Sequence, residues 1–254
     1  EVAKNASGDI VDFDSGTDHA VLPKDRTPFS GGKRVMVDGL LSRQETAVIA
    51  GVFYALGAAA GLWIVLRYEP WIFPLGLAGM ALAYFYHAPP LSLSYHGFGE
   101  LAVGLAYGPL IGSGAYAVLR GVPSWPITLL FIPIGLLIAA FLWINEFPDC
   151  DADRAAGKRT WVVRLGKRRA AQVFGGLIAA AGLTLLALPL IGWPAPVLLG
   201  LSGVAVGALA AQRLQYCWNE TRSLVLLQAL TLASFLLAAV GSGLGLLLSA
   251  PVVP

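Results

Sequence analysis

The sequence predicts an all-α protein: a multi-pass transmembrane helix bundle with seven apolar segments after a polar N-terminal region. Three observations lead there. The 254 residues are 57% hydrophobic and only 13% charged, with a mean hydropathy of +0.71. That is the balance of a chain whose solvent is largely lipid. Apolar runs recur at close to the ~20 residues that cross a ~30 Å hydrocarbon core as a helix. The basic residues divide unevenly between alternate connecting segments, as they do in membrane proteins. Residues 1–254 read as one integral membrane domain.

Residues 1–45 are the long polar stretch, with Asn5, Asp9, Asp12, Asp14 and Asp18 followed by a loop rich in Gly, Pro and basic side chains. The apolar segments follow at 46–66, 71–87, 100–119, 126–144, 170–191, 195–212 and 223–248, of which 71–87 and 195–212 are the shortest. Gly104, Gly108, Gly112 and Gly114 fall inside one of them, as close helix packing in lipid allows. If 1–45 lies on one side of the membrane, the loops 88–99, 145–169 and 213–222 share it. Of the 17 Lys and Arg, only Arg67 and Arg120 then face the other side. This asymmetry predicts that the polar loops lie at the cytoplasmic face of a cell membrane.

A net charge of +2 is too small to suggest a nucleic-acid partner. The two cysteines, Cys150 and Cys217, make no disulfide framework or metal-type spacing. They read as incidental thiols.

The stretch that carries chemistry is Asn145-Glu-Phe-Pro-Asp149-Cys-Asp-Ala-Asp153, followed by Lys158 and Arg159. Asn145, Asp149 and Asp153 are spaced four apart, which puts them on one face of a helix. Carboxylates this close repel unless a cation lies between them, and hard oxygen ligands suit Mg²⁺. Asn5, Asp9 and Asp12 repeat the pattern at offsets of zero, four and seven, and the topology brings both stripes to the same membrane side. Two such stripes facing each other would line a polar pocket for a cation and a phosphate. Two unrelated solvated acidic loops are the plainer alternative.

These residues resemble the UbiA superfamily of intramembrane prenyltransferases, whose members carry two motifs of the form N-x-x-x-D-x-x-D or N-x-x-x-D-x-x-x-D. The likeness extends to Phe13-Asp14-Ser15-Gly16-Thr17-Asp18, to Arg26-Thr27-Pro28-Phe29-Ser30-Gly31-Gly32, and to Asp153–Thr160 with Arg164-Leu165-Gly166 behind it. The Gly-Thr-Asp ending and the Gly-Lys-Arg-Thr run are most similar to the branch that prenylates 1,4-dihydroxy-2-naphthoate in menaquinone synthesis. Members usually have nine helices, with the first motif near the end of the second, so the likeness implies helical sequence upstream of Glu1. Position 8 is Gly, where many relatives have Asn before the aspartate.

The resemblance implies transfer of a polyprenyl group from an allylic diphosphate to an aromatic acceptor. Asp9 and Asp12 would hold one Mg²⁺, and Asp149 and Asp153 another, with Asn5 and Asn145 orienting them. Lys158, Arg159 and Arg164 on one loop, and Arg26, Lys33 and Arg34 on the other, are candidates to meet the charge that grows on departing diphosphate. Aromatic side chains at the ends of segments, Tyr84, Phe85, Tyr86, Phe141 and Trp143, would stabilise an allylic cation, or else form an interfacial belt. Tyr95 is a candidate for the acceptor site. His87 or His96 would bind or deprotonate a phenolic acceptor, or sit at the interface satisfied by water and backbone. His19 is a candidate supporting group beside Asp18. The prenyl tail would lie between helices, among membrane lipid. Other acceptors of the same chemistry are 4-hydroxybenzoate, homogentisate, a chlorophyllide or a glycerol-phosphate ether. Intramembrane carboxylates also mark transporters, and a non-catalytic scaffold is a third class.

Overall fold

The computed structural model describes residues 1–32 and 34–249, all of them helix or loop. The first motif lies on α1 (Val2–Asp14). Seven further helices follow: α2 (Arg43–Arg67), α3 (Ile72–Phe85), α4 (Gly99–Arg120), α5 (Trp125–Ala155), α6 (Lys167–Ala187), α7 (Leu201–Cys217) and α8 (Thr221–Ser249). Six of these paths, α2 and α4 to α8 with their short 3₁₀ extensions, are long and apolar enough to cross a membrane. The seventh apolar segment is α3, whose 14 residues reach only about 21 Å at 1.5 Å per residue. The chain is a multi-pass membrane bundle.

Local chemistry sets several boundaries. Ser42 and Glu45 form a reciprocal capping box at the start of α2, with Glu45 N–H donating to Ser42 Oγ at 3.2 Å and Ser42 N–H to Glu45 Oε2 at 2.7 Å, which satisfies two otherwise free donors. Arg43 then pairs with Asp14 at 2.8 Å, tying the start of α2 to the end of α1. Gly121, at φ +82°, ends α4 in the left-handed conformation that favours glycine. Pro109 falls inside α4, where the chain widens into one π turn over Ala106–Leu110 rather than breaking.

The core is built around α5 and the three helices after it. Leu137, Ile144, Phe147, Phe174, Leu214 and Leu224 are fully buried there. Trp143 is sealed into this core, with Nε1 donating to the Ala170 carbonyl at 3.0 Å. By contrast Leu66, Leu119 and Leu190 lie open on the outside, as lipid-facing residues do. Between α4 and α5 the backbones nearly touch. A Cβ on Gly108 would stand 2.6 Å from Gly135 Cα, and one on Gly135 would stand 2.5 Å from the Gly104 carbonyl oxygen. Lipid supplies no hydrophobic drive between helices, so this glycine seam gains its stability from close dispersion contact.

One expectation changes. The stretch 145–169 reads in sequence as a loop after a segment ending at 144, but α5 continues unbroken to Ala155. The second motif therefore shares a rigid helix with a membrane span.

The seam makes a testable contrast. Gly108→Ala should lower the thermal midpoint in detergent, by an overpacking penalty of about 1–3 kcal/mol. Gly114→Ala, with nothing within 4 Å of the added carbon, should leave it level or slightly raised. Equal midpoints for the two variants would show that the seam tolerates separation.

Candidate functional site

The two helical stripes face each other across a polar cavity of about 460 Å³. Asn5, Asp9 and Asp12 enter it from α1, and Asn145, Asp149 and Asp153 from α5. The four-residue spacing thus does locally what it suggests, because α5 stays helical through the motif. Glu146 also lines the cavity. The loop Thr27–Gly32 covers one side, folded on itself by Phe29 and Ser30 N–H groups that donate to Thr27 Oγ1 at 3.1 and 3.0 Å. Gln228 Nε2 on α8 reaches Ser30 Oγ at 3.2 Å, and so joins that loop to the far end of the chain.

Lys158 lies between the two acidic sets. Its Nζ is 3.7 Å from Asp12 Oδ1 and 3.6 Å from Asp153 Oδ1. The turn after α5 delivers it there: Gly157 takes φ +76°, and Lys158 N–H donates to the Asp153 carbonyl at 2.8 Å. Burial opposes its charge, but Asp12 and then Asp153 outweigh that and hold the ammonium well above its ordinary range. Tyr95 supports the same cluster from outside the cavity, its hydroxyl donating to Asp12 Oδ1 at 2.8 Å.

The other basic candidates are placed differently. Arg159 and Arg26 are exposed and do not line the cavity. Arg164 binds backbone, donating to the Arg159 and His96 carbonyls at 2.8 and 2.7 Å, and so clamps the 88–98 loop to the 156–160 turn. Arg34 donates to the Asp18 carbonyl and pairs with Asp38 at 3.2 Å. Lys33 lies outside the described residues. Of the aromatic candidates Tyr86 lines the cavity, Trp143 is in the core, and Tyr84 and Phe141 pack on other rings. His96 Nδ1 is satisfied by the Leu91 and Ser92 carbonyls at 3.0 Å. His19 packs on Phe13.

Lys4 lines the cavity although neither motif points to it, and His87, a sequence candidate for contacting the acceptor, lines it as well. Lys4 places its ammonium 4.5 Å from the centre of the Tyr86 ring. Its position one turn before Gly8 and two before Asp12 was the available signal. His87 sits just beyond α3, where burial holds its imidazole down, at about 4, and therefore neutral.

A second cavity, apolar and of about 550 Å³, runs between α3 and α4 past Ile72, Leu82, Val103 and Leu110. Lys4 and Tyr86 line both spaces, so a polar chamber and an apolar groove meet at one ammonium and one ring.

The donor set fits magnesium. Every acid facing the chamber is a hard oxygen ligand, and Asn145 Oδ1 and Asp149 Oδ1 are buried without a hydrogen-bond partner, a costly state unless something binds there. Among the described residues no three His, Cys, Asp or Glu side chains form a ready cage. Ions held by pairs of carboxylates would thus need further oxygens from a ligand.

This architecture is that of a membrane-embedded helical bundle with an acidic chamber at one end of its helices. The chain belongs to the UbiA prenyltransferase family, whose profile matches residues 2–224. It is 32% identical to the 1,4-dihydroxy-2-naphthoate octaprenyltransferase of Mycobacterium tuberculosis over 71% of this chain and 59% of that protein. It is 31% identical to the 2-carboxy-1,4-naphthoquinone phytyltransferase of Synechocystis over 66% of this chain and 52% of that one. The chain therefore spans between one half and three-fifths of the length of these two relatives. The apo structure of a UbiA homolog from Aeropyrum pernix K1 has the same fold, with a TM-score of 0.66 at 23% identity, covering 94% of this chain and 83% of that one.

Lys158→Met should unfold at a clearly lower temperature than wild type in EDTA, because removing one partner of a buried ion pair costs about 3–5 kcal/mol. Added Mg²⁺ should recover part of the loss; an unchanged midpoint in EDTA would show that the acids do not depend on this ammonium. Asp18 gives a pH test. Burial, then Asp12 and Asp9, push its carboxyl up to about 6, so the folded state binds the proton more tightly than the unfolded chain does. The stability this contributes is present at pH 4 and is lost as pH rises through 6. Wild type in EDTA should lose more thermal stability across that window than Asp18→Asn, and parallel curves would refute the shift.

Proposed function

We propose that this chain transfers a polyprenyl group from an allylic diphosphate to an aromatic acceptor, with 1,4-dihydroxy-2-naphthoate as the acceptor. The observation that carries the reading is the pair of cavities joined at Lys4 and Tyr86. A ligand with a polyanionic head and a long hydrocarbon tail matches a charged chamber that shares Lys4 and Tyr86 with an apolar groove. The naphthoate acceptor is favoured by the naphthoate- and naphthoquinone-directed names of the two relatives and by the Gly-Thr-Asp and Gly-Lys-Arg-Thr sequences.

In this reading Asp9 and Asp12 would hold one Mg²⁺ and Asp149 and Asp153 another, and such ions would supply the positive charge that lets diphosphate approach four carboxylates. Asn5 and Asn145 orient those acids. Lys158, already between the motifs, turns from the carboxylates to the diphosphate oxygens, and Lys4 meets the same head at the mouth of the groove. As the allylic C–O bond breaks, its electron pair leaves with diphosphate, where these two ammonium groups stabilise the growing charge. The Tyr86 ring faces the allylic carbon and keeps water from it. The acceptor ring carbon then forms the new C–C bond, and its carboxylate departs as CO₂, returning its bonding pair to the ring. The uneven division of Lys and Arg favours a cytoplasmic face for the chamber.

Purified protein in detergent, given labelled polyprenyl diphosphate, should release diphosphate only with both Mg²⁺ and 1,4-dihydroxy-2-naphthoate. Asp149→Ala should reduce that release by a factor of about 100 or more, since it removes a ligand of the charge-stabilising set. Release with 4-hydroxybenzoate or homogentisate alone would keep prenyl transfer and discard the naphthoate. Release with none of them from the full-length gene product would overturn the catalytic reading.

A further inference from the structure

His87 and Gly8 line the chamber together, and they are fitted to each other. A Cβ on Gly8 would stand 2.5 Å from His87 Nε2, 2.7 Å from Cδ2 and 3.1 Å from Cε1. The imidazole edge therefore occupies the space that any side chain at position 8 would need. The glycine is the condition for the imidazole to enter the chamber wall.

The tautomer follows from the neighbours. Ser94 Oγ donates its one hydrogen to the Tyr86 carbonyl at 2.8 Å. Its contact with His87 Nδ1 at 3.3 Å must then run the other way, with Nδ1–H donating to the hydroxyl oxygen. Nδ1 therefore carries the hydrogen of the neutral ring, and Nε2 presents a lone pair beside Gly8. Among the described residues His87 makes no other hydrogen bond. A lone pair in this wall repels carboxylate and ionised diphosphate oxygens alike. It selects a ligand that brings a donor.

We propose that His87 Nε2 accepts a hydrogen bond from a ring hydroxyl of the acceptor, and so fixes the acceptor in the chamber next to the first aspartate motif. This rests on the prenyl-transfer reading above and names the acceptor-binding residue within it. The diphosphate half of the substrate gains nothing from His87.

The test separates the two substrates. Steady-state kinetics with 1,4-dihydroxy-2-naphthoate and labelled geranylgeranyl diphosphate would be measured for wild type, His87→Phe, His87→Gln and Gly8→Ala. His87→Phe keeps a planar ring without the lone pair, and should raise the acceptor KM about tenfold, the size of one hydrogen bond. The diphosphate KM should stay within about twofold. His87→Gln, whose amide oxygen can still accept, should recover most of the loss. Gly8→Ala, which leaves the imidazole intact but displaces it, should show the same split as the Phe variant, so the inference does not hang on one variant folding. An unchanged acceptor KM in His87→Phe, an equal rise in both KM values, or a Gln variant no better than Phe would overturn the assignment. Wild type that turns over no naphthoate would instead strike the proposed function, and this inference with it; wild type is measured first, which tells the two failures apart.

Discussion

The interaction on which the site depends is the ammonium of Lys158 between Asp12 and Asp153. Two helices that arrive from distant parts of the chain each present carboxylates to one chamber, and like charges at this separation would drive them apart in a medium of low dielectric. The Lys158 ammonium, 3.7 and 3.6 Å from the two motifs, offsets part of that repulsion without filling the chamber. Because it stands on a turn rather than a helix, it is also the element best able to exchange one set of oxygens for another.

Around this centre the protein combines rigid and tied parts. The second motif is carried on α5, which is packed against α6 and α8 through Phe147, Phe174 and Leu224 and meets α4 backbone to backbone at the glycine seam. The loops over the chamber are held by single polar ties: Arg164 to the His96 carbonyl, Tyr95 to Asp12, Gln228 to Ser30. Helices fix the positions of the acids, and the ties set the shape of the lid over them. That division keeps the charges of the chamber in register.

A groove lined by Ile72, Leu82, Val103 and Leu110 is ordinary in a membrane protein; here it shares Lys4 and Tyr86 with a chamber lined by four aspartates. The juxtaposition gives one molecule two solvents, and the boundary between them falls at the point where a polar head would join a hydrocarbon chain.

Hydropathy, helical spacing and basic-residue asymmetry are properties of neighbours along the chain, and they alone determined the helical class, the number of apolar segments and the two Asn–Asp–Asp faces. The structure agrees on six long helices and a shorter seventh, and carries α5 through residues that hydropathy had ended at 144. What only tertiary structure decided is which polar groups meet. Of the basic residues near the motifs, Lys158 enters the chamber because Gly157 reverses the chain at φ +76°, whereas Arg164, six residues on, is spent on backbone carbonyls. Lys4 and His87 join the chamber through the packing of α1 against the end of α3, a contact between residues some 80 apart. No local pattern encodes such a meeting. The glycine at position 8 was visible in the sequence as a departure, and its reason, an imidazole in the same space, exists only in the folded chain.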